Sequence, residues 1–162
     1  MSTRKRLFIL SFLLIIISSY LIFSEISGDN PAGFIKHEEG NIYYTMGSLD
    51  WNGLFAATIV DYSFVTSDGK KLSSEEAKVN IYILKESRRY IGADLSEEPI
   101  DLGSKGYTSL QGYTISNGNN TILFEADMRD KTFELEEMVL YYRNLFITRS
   151  DSIPISVGVD SE

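Results

Sequence analysis

Few residues in this 162-residue chain are of the types that support catalysis. The absence of cysteine excludes disulfides, Fe–S clusters, thiol catalysis and cysteine-based zinc sites. His37 is the single histidine, and no G-x-S-x-G motif provides a serine nucleophile for it to activate. No glycine-rich phosphate-binding motif occurs. We therefore predict no catalytic residue and no cofactor, and interpret the chain as a non-enzymatic protein.

Carboxylates are the one abundant reactive group, since the chain holds 23 Asp and Glu residues. A pair of carboxylates is sufficient for glycoside hydrolysis, so a carboxylate-dependent enzyme acting on glycans is the alternative function. Carboxylate oxygens also bind calcium in extracytoplasmic modules. The calcium candidates cluster in one loop-like stretch, although they do not match the D-x-[DN]-x-[DN]-G motif: Asp94, Glu97, Glu98 and Asp101.

Aromatic residues make up 12% of the chain and could form a recognition surface for a protein or a carbohydrate. The candidates for this interaction surface are Tyr43, Tyr44, Trp51, Tyr141 and Tyr142. Neighbouring residues on a strand point to opposite faces, so one ring of each adjacent tyrosine pair should face the core and the other the surface.

The N-terminal segment indicates where such a surface would be presented. Residues 7–23 contain no charge, proline or glycine, and a helix over residues 7–26 would be about 30 Å long, which matches a bilayer core. Arg4, Lys5 and Arg6 precede it. The positive-inside rule then predicts a cytoplasmic basic tip at residues 1–6, a transmembrane helix at 7–26 and an extracytoplasmic C-terminal domain.

Two other interpretations of this segment remain open. A cleaved signal peptide would have the same pattern and would leave a secreted protein, although the small-residue cleavage sites near Ser24 and Gly28 are poor. A pilin-like subunit would also begin with an apolar helix, but Pro31 ends this one and its first acid, Glu25, follows the apolar run.

The charge distribution indicates which classes of partner the chain can bind. The net charge is −8, and residues 7–162 hold 12 basic against 23 acidic residues. A body this acidic is not expected to bind nucleic acid, because phosphates require Lys and Arg. The expected partners are a lipid bilayer, through residues 7–26, and a protein of the cell envelope.

The remaining chain divides into a linker or stalk at residues 27–40 and a domain at 41–162. Short alternating segments such as 54–66, 79–85 and 121–128 indicate strands, and Asp68-Gly69 and the 116–120 stretch indicate turns. Residues 133–147 are compatible with helix or strand, and the β-prone run Val139–Tyr142 favours a strand at Met138–Arg143. We predict a mainly β fold, an antiparallel β-sandwich resembling immunoglobulin or fibronectin-III domains in architecture.

Taken together, the sequence predicts a membrane-anchored, extracytoplasmic, non-enzymatic binding or accessory module of the cell envelope. The predicted globular part, about 120 residues, is long enough to bury its own hydrophobic core.

Overall fold

A computed structural model describes residues 3–29, 42–53, 55–84, 94–96, 101–104, 106–127 and 134–157. His37, Glu97 and Glu98 lie outside these residues. The described chain forms two helices and eleven strands. In chain order they are α1 (Thr3–Phe23), β1 (Glu25–Asp29), β2 (Ile42–Asn52), β3 (Ala57–Thr66), β4 (Lys71–Ser73), α2 (Ser74–Ala77), β5 (Val79–Leu84), β6 (Asp94–Ser96), β7 (Tyr107–Ser109), β8 (Thr114–Ile115), β9 (Gly118–Asp127), β10 (Leu135–Asn144) and β11 (Ile147–Val157).

The strands form two antiparallel sheets, which confirms the predicted mainly β fold. The first sheet has the order β1-β2-β9-β5-β7, with β6 paired to β2, and the second has the order β11-β10-β3-β4, with β8 paired to β3. The predicted Asp-Gly turn connects β3 to β4, where Gly69 has a φ of +79°. The predicted turn at 116–120 instead carries the chain from β8 in the second sheet to β9 in the first.

The inward faces of both sheets form one hydrophobic core. Trp51 of the first sheet meets Tyr142 of the second edge-on, with ring centroids 5.5 Å apart. Gly53 packs against this indole so tightly that a Cβ there would lie 2.1 Å from the ring. The alternating pattern of residues 79–85 places Val79, Ile81 and Ile83 on one face of β5, and all three are in this core.

A second, smaller apolar cluster covers the outer face of the first sheet. Leu102 and Tyr107, from the segment around β7, pack there onto side chains of β2 and β9. Burial on both faces explains why β9 has Ile122, Leu123 and Phe124 all buried despite their alternation. The outer face of the second sheet has no comparable cluster among the described residues.

The junction between α1 and the sheets differs from the expected boundaries. The helix ends at Phe23 rather than at residue 26, and Glu25–Asp29, expected at the helix end and in the linker, form β1. The physical reason is that the β2 edge offers backbone partners: β1 pairs antiparallel with it, from Glu25 opposite Asn52 to Asp29 opposite Ser48.

None of the helices in the described part of the chain has the combined length and apolarity of a membrane span. The strand predicted at Met138–Arg143 is confirmed and lies within β10, between β3 and β11. Central placement in a sheet satisfies its backbone groups on both sides and overrides the helical spacing of its apolar residues.

Candidate functional site

A polar groove of about 490 Å³ lies on the outer face of the second sheet. Its volume is within the range of small-molecule sites, roughly 300–1,000 Å³. Strands β3, β4 and β10 form its floor, and α2 and the loop after β7 contribute to its sides. The lining residues are Asp61, Tyr62, Ser63, Lys71, Ser73, Ser74, Glu75, Gln111 and Tyr141.

A β-bulge in β3 lies beside Asp61 of this groove. Tyr141 of β10 pairs with Asp61, whereas the next residue, Tyr142, pairs with Ile59, so Val60 has no opposite residue. Val60 and Asp61 are consequently both exposed. A bulge changes which face a side chain occupies and is often found beside functional sites.

The bulge also corrects the alternation expected for residues 54–66. The sequence places Thr58, Val60, Tyr62 and Phe64 on one face, because a regular strand has a period of two. Tyr62 and Phe64 do lie in the core, but Thr58 and Val60 face outward. The extra residue shifts the phase of the strand at Val60.

Lys71 and Tyr141 form the central contact of the groove. The Lys71 ammonium donates a hydrogen bond to the Tyr141 hydroxyl, and its Nζ lies 4.9 Å from the centroid of the ring. The ammonium lowers the pKa of the Tyr141 hydroxyl, with a further lowering from the neighbouring Ser63 hydroxyl. An ammonium and a tyrosine hydroxyl are thus held in contact within the groove.

Ser63 provides a buried polar group at the same place. Its side chain is 7% exposed, and its Oγ makes no hydrogen bond of good geometry within the described structure. A buried hydroxyl without a good partner costs about 1–3 kcal/mol, so such groups usually have a specific reason.

The remaining polar side chains are fixed by local structure. Ser73 caps α2 in a capping box with Glu76, which leaves the next two residues, Ser74 and Glu75, along the groove. Gln111 lies in a turn anchored to β3, because the Gly112 amide donates to the Ile59 carbonyl at 2.8 Å. Its Nε2 is 3.5 Å from Asp61 Oδ1.

The described lining of the groove offers one cation, two carboxylates, an amide, several hydroxyls and one central aromatic ring. It can donate and accept hydrogen bonds within one concave surface, as a hydroxyl-rich ligand requires. Asp61 and Glu75 are both exposed. Neither therefore has the burial that usually prepares a general acid for catalysis.

Comparisons with known proteins yield a structural likeness but no family. No known protein family matches the chain. No curated protein matches it either. Among solved structures, a family 123 glycoside hydrolase from Clostridium perfringens, studied for glycolipid glycan hydrolysis, is similar with 12% identity and a TM-score of 0.45. The likeness covers 83% of this chain and 27% of that one, so the chain spans about a quarter of the hydrolase.

The five predicted aromatic candidates are not brought together at a surface. Tyr43, Tyr44, Trp51 and Tyr142 are all at most 2% exposed, and of the five only Tyr141 reaches the groove. The rule of one ring on each face holds for both tyrosine pairs. It leaves Tyr44 buried because the second apolar cluster covers the outer face of the first sheet.

The calcium candidates receive no support as a set from the part of the chain that is described. Asp94 lies in β6, and Asp101 accepts a hydrogen bond from the Ser104 amide at 3.3 Å within its own turn. Among the described residues, no three His, Cys, Asp or Glu side chains are grouped so that they could hold a metal ion.

Sequence reasoning missed most of the groove. Gln111 reaches it only through the crossover from β7 to β8. The signal available in the sequence was Asp61, which the 54–66 alternation places on the face opposite Tyr62 and Phe64.

Proposed function

We propose that this protein is a non-enzymatic binding module of the cell envelope, held on the outer side of a membrane, that binds a hydroxyl-rich ligand such as a glycan. The observation that carries the proposal is the groove around Lys71 and Tyr141. Donors, acceptors and an aromatic ring converge there on a rigid sheet, which is the composition expected of a site that orients a polar ligand.

The topology is consistent with a recognition module. We infer an immunoglobulin-like sandwich, supported by the strand orders β1-β2-β9-β5 and β4-β3-β10-β11. These correspond to the A-B-E-D and C′-C-F-G sheets of that architecture. The fold by itself does not specify a ligand, so the groove has to provide the specificity.

The membrane location rests on α1 and on the basic residues before its apolar part. The large apolar side chains from Leu7 to Ile17 are 46–73% exposed. A helix that is apolar all round, without a polar face, is expected to be covered by protein or by lipid. We propose that lipid covers it, with Arg4, Lys5 and Arg6 on the cytoplasmic side.

Ligand binding tests the groove. The full-length protein in detergent would be titrated calorimetrically with purified chitooligosaccharides, mannooligosaccharides and soluble cell-wall glycan fragments. We expect at least one to bind, and Tyr141→Ala to weaken its binding by about tenfold or more, because a central aromatic contact commonly dominates binding energy.

The matched control is Thr148→Ala, an exposed residue of β11 outside the groove, which should leave the affinity unchanged. Lys71→Met should weaken binding as well, since it removes the only lysine or arginine among the described residues that line the groove. Failure of every glycan to bind, or equal binding by Tyr141→Ala and the parent, would contradict the proposal. If an envelope protein co-purifies instead and is lost with Tyr141→Ala, the groove binds a polypeptide.

A second candidate function is glycan hydrolysis by carboxylates, because Asp61 and Glu75 line the same groove. The glycans that bind would be incubated with the protein and examined by mass spectrometry. Cleaved products that disappear with Asp61→Asn would favour the enzyme, whereas intact glycans favour the binding module.

A further inference from the structure

One end of the sandwich carries exposed apolar side chains. Phe146 is 84% exposed, Phe55 44% and Leu145 42%. Phe55 lies in the β2–β3 loop, and Leu145 and Phe146 form the turn between β10 and β11. The register brings these two segments together, because Asn144 pairs with Ala57 at the ends of β10 and β3. We refer to Phe55, Leu145 and Phe146 as the apolar tip.

Helix α1 joins the domain at this same end. Glu25, the first residue of β1, pairs with Asn52, the last residue of β2. A single residue, Ser24, separates α1 from β1; it is buried, and its carbonyl accepts a hydrogen bond from Arg149 at 3.3 Å. The apolar helix therefore emerges directly beside the apolar tip, without a spacer.

The turn that presents these residues has a strained backbone. Leu145 has a φ of +55°, in the left-handed region that Gly and Asn adopt more readily. A glycine at position 145 would connect the same strands with less strain. Keeping Leu145 and Phe146 there is more easily explained by a surface they contact than by the hairpin itself.

Charge distinguishes this hairpin from the rest of the domain. Arg143 and Arg149 flank the turn, and no acid lies between them, in a domain that is otherwise strongly acidic. Glu25 is also exposed at this end. Aromatic and aliphatic tips beside arginines are the combination that inserts into a phospholipid interface.

We propose that the apolar tip contacts the membrane surface, so that Phe146 inserts among the lipid headgroups and acyl chains while α1 is in the bilayer. This inference rests on the proposed membrane location of α1. It also gives the domain an orientation. The end of the sandwich that carries the apolar tip lies against the membrane, and the groove on the outer face of the second sheet opens to the side rather than toward the membrane.

Site-specific fluorescence tests the contact, and the cysteine-free chain makes single labelling clean. Thr148→Cys, next to the tip, and Lys70→Cys, in the turn at the opposite end, would each be labelled with an environment-sensitive fluorophore. The full-length proteins would be reconstituted into phosphatidylcholine vesicles containing phosphatidylglycerol and a lipid with a nitroxide headgroup. We expect quenching at position 148 to exceed that at position 70 by about twofold or more, and Phe146→Ser to reduce it.

Flotation of the same vesicles separates the two proposals. Protein that floats with the lipid but shows equal quenching at both positions overturns the apolar-tip contact alone. Protein that does not float overturns the membrane location of α1 and, with it, the contact. Unchanged quenching in Phe146→Ser would also overturn the role given to Phe146, and a near-native circular dichroism spectrum confirms that this variant folds.

Discussion

At the scale of single residues, Tyr82 and Tyr141 show how position on a sheet sets chemistry. Tyr82 packs with the second apolar cluster on the first sheet, where burial and the neighbouring Glu125 raise its pKa to about 12. Tyr141 lies in the groove, where Lys71 lowers its pKa. The tyrosine hydroxyl therefore loses its proton less readily at Tyr82 and more readily at Tyr141.

The raised pKa of Tyr82 predicts instability in alkali. An unfolded tyrosine loses its proton near pH 10, whereas folded Tyr82 keeps it until about pH 12. Between these values the unfolded state binds fewer protons, so stability falls as pH rises. Denaturant unfolding at pH 8, 10 and 11 should show this fall, and Tyr82→Phe should make it shallower.

Tyr141→Phe is the matched control, because a pKa lowered in the folded state has the opposite effect on stability as pH rises. Between that lowered pKa and pH 10, ionised Tyr141 adds stability as pH rises, so its removal should not make the fall shallower. Identical alkaline profiles for Tyr82→Phe and the parent would contradict the assignment.

At the scale of elements, a contact between β1 and β11, the edge strands of the two sheets, attaches the segment after α1 to the domain. Asp151 Oδ2 accepts the Ile26 amide at 2.7 Å and the Tyr142 hydroxyl at 2.8 Å, so one oxygen links the edge strands of both sheets. Gly28 permits the close approach, since a Cβ there would lie 3.2 Å from the Ile153 side chain and 2.8 Å from the Ser48 carbonyl.

Removing this oxygen should loosen β1 selectively. Asp151→Ala leaves two donors without a partner and should lower the free energy of unfolding by roughly 2–4 kcal/mol. Hydrogen exchange measured by mass spectrometry should rise in residues 25–29 before it rises in β9. Asp151→Asn keeps an acceptor oxygen and should restore most of the protection.

The control on the same strand is Ser152→Ala, an exposed residue one position along. It should leave exchange in β1 unchanged. If hydrogen exchange in Asp151→Ala rose equally across both sheets, this contact would support the whole fold rather than the attachment of β1.

At the scale of the whole molecule, charge and apolarity are segregated along the chain. The basic residues Arg4, Lys5 and Arg6 lie at the start of α1, before its apolar part, and all 23 acidic residues follow the helix. With Ser24 buried in the sandwich, the helix and the domain are directly joined. Under the proposed membrane location of α1, this direct connection would hold the domain close to the bilayer.

Fractionation of cells expressing a C-terminally tagged chain tests that arrangement. We expect a full-mass band in the membrane fraction, resistant to carbonate extraction and cleaved by external protease. Replacing Arg4, Lys5 and Arg6 with Ser should increase the share of molecules in the inverted orientation. A smaller, released band would indicate signal cleavage, and a soluble full-mass band would contradict anchoring.

Local patterns were sufficient for much of the fold. The alternation of Val79, Ile81 and Ile83, the Asp68-Gly69 turn and the β-prone Val139–Tyr142 run each predicted the structure found there, because each depends on near neighbours in sequence. The lack of cysteine and the single histidine likewise restricted the possible chemistry, since composition does not depend on how the chain folds.

The tertiary structure decided where the site lies. The bulge at Val60 turns Thr58 and Val60 outward, the crossover after β7 brings Gln111 to β3, and the second apolar cluster over the first sheet buries Tyr44 while Tyr141 stays accessible. Each of these depends on pairings between residues far apart in sequence. The sequence by itself determined which faces could be apolar, and only the packing of the two sheets determined which polar face remained open.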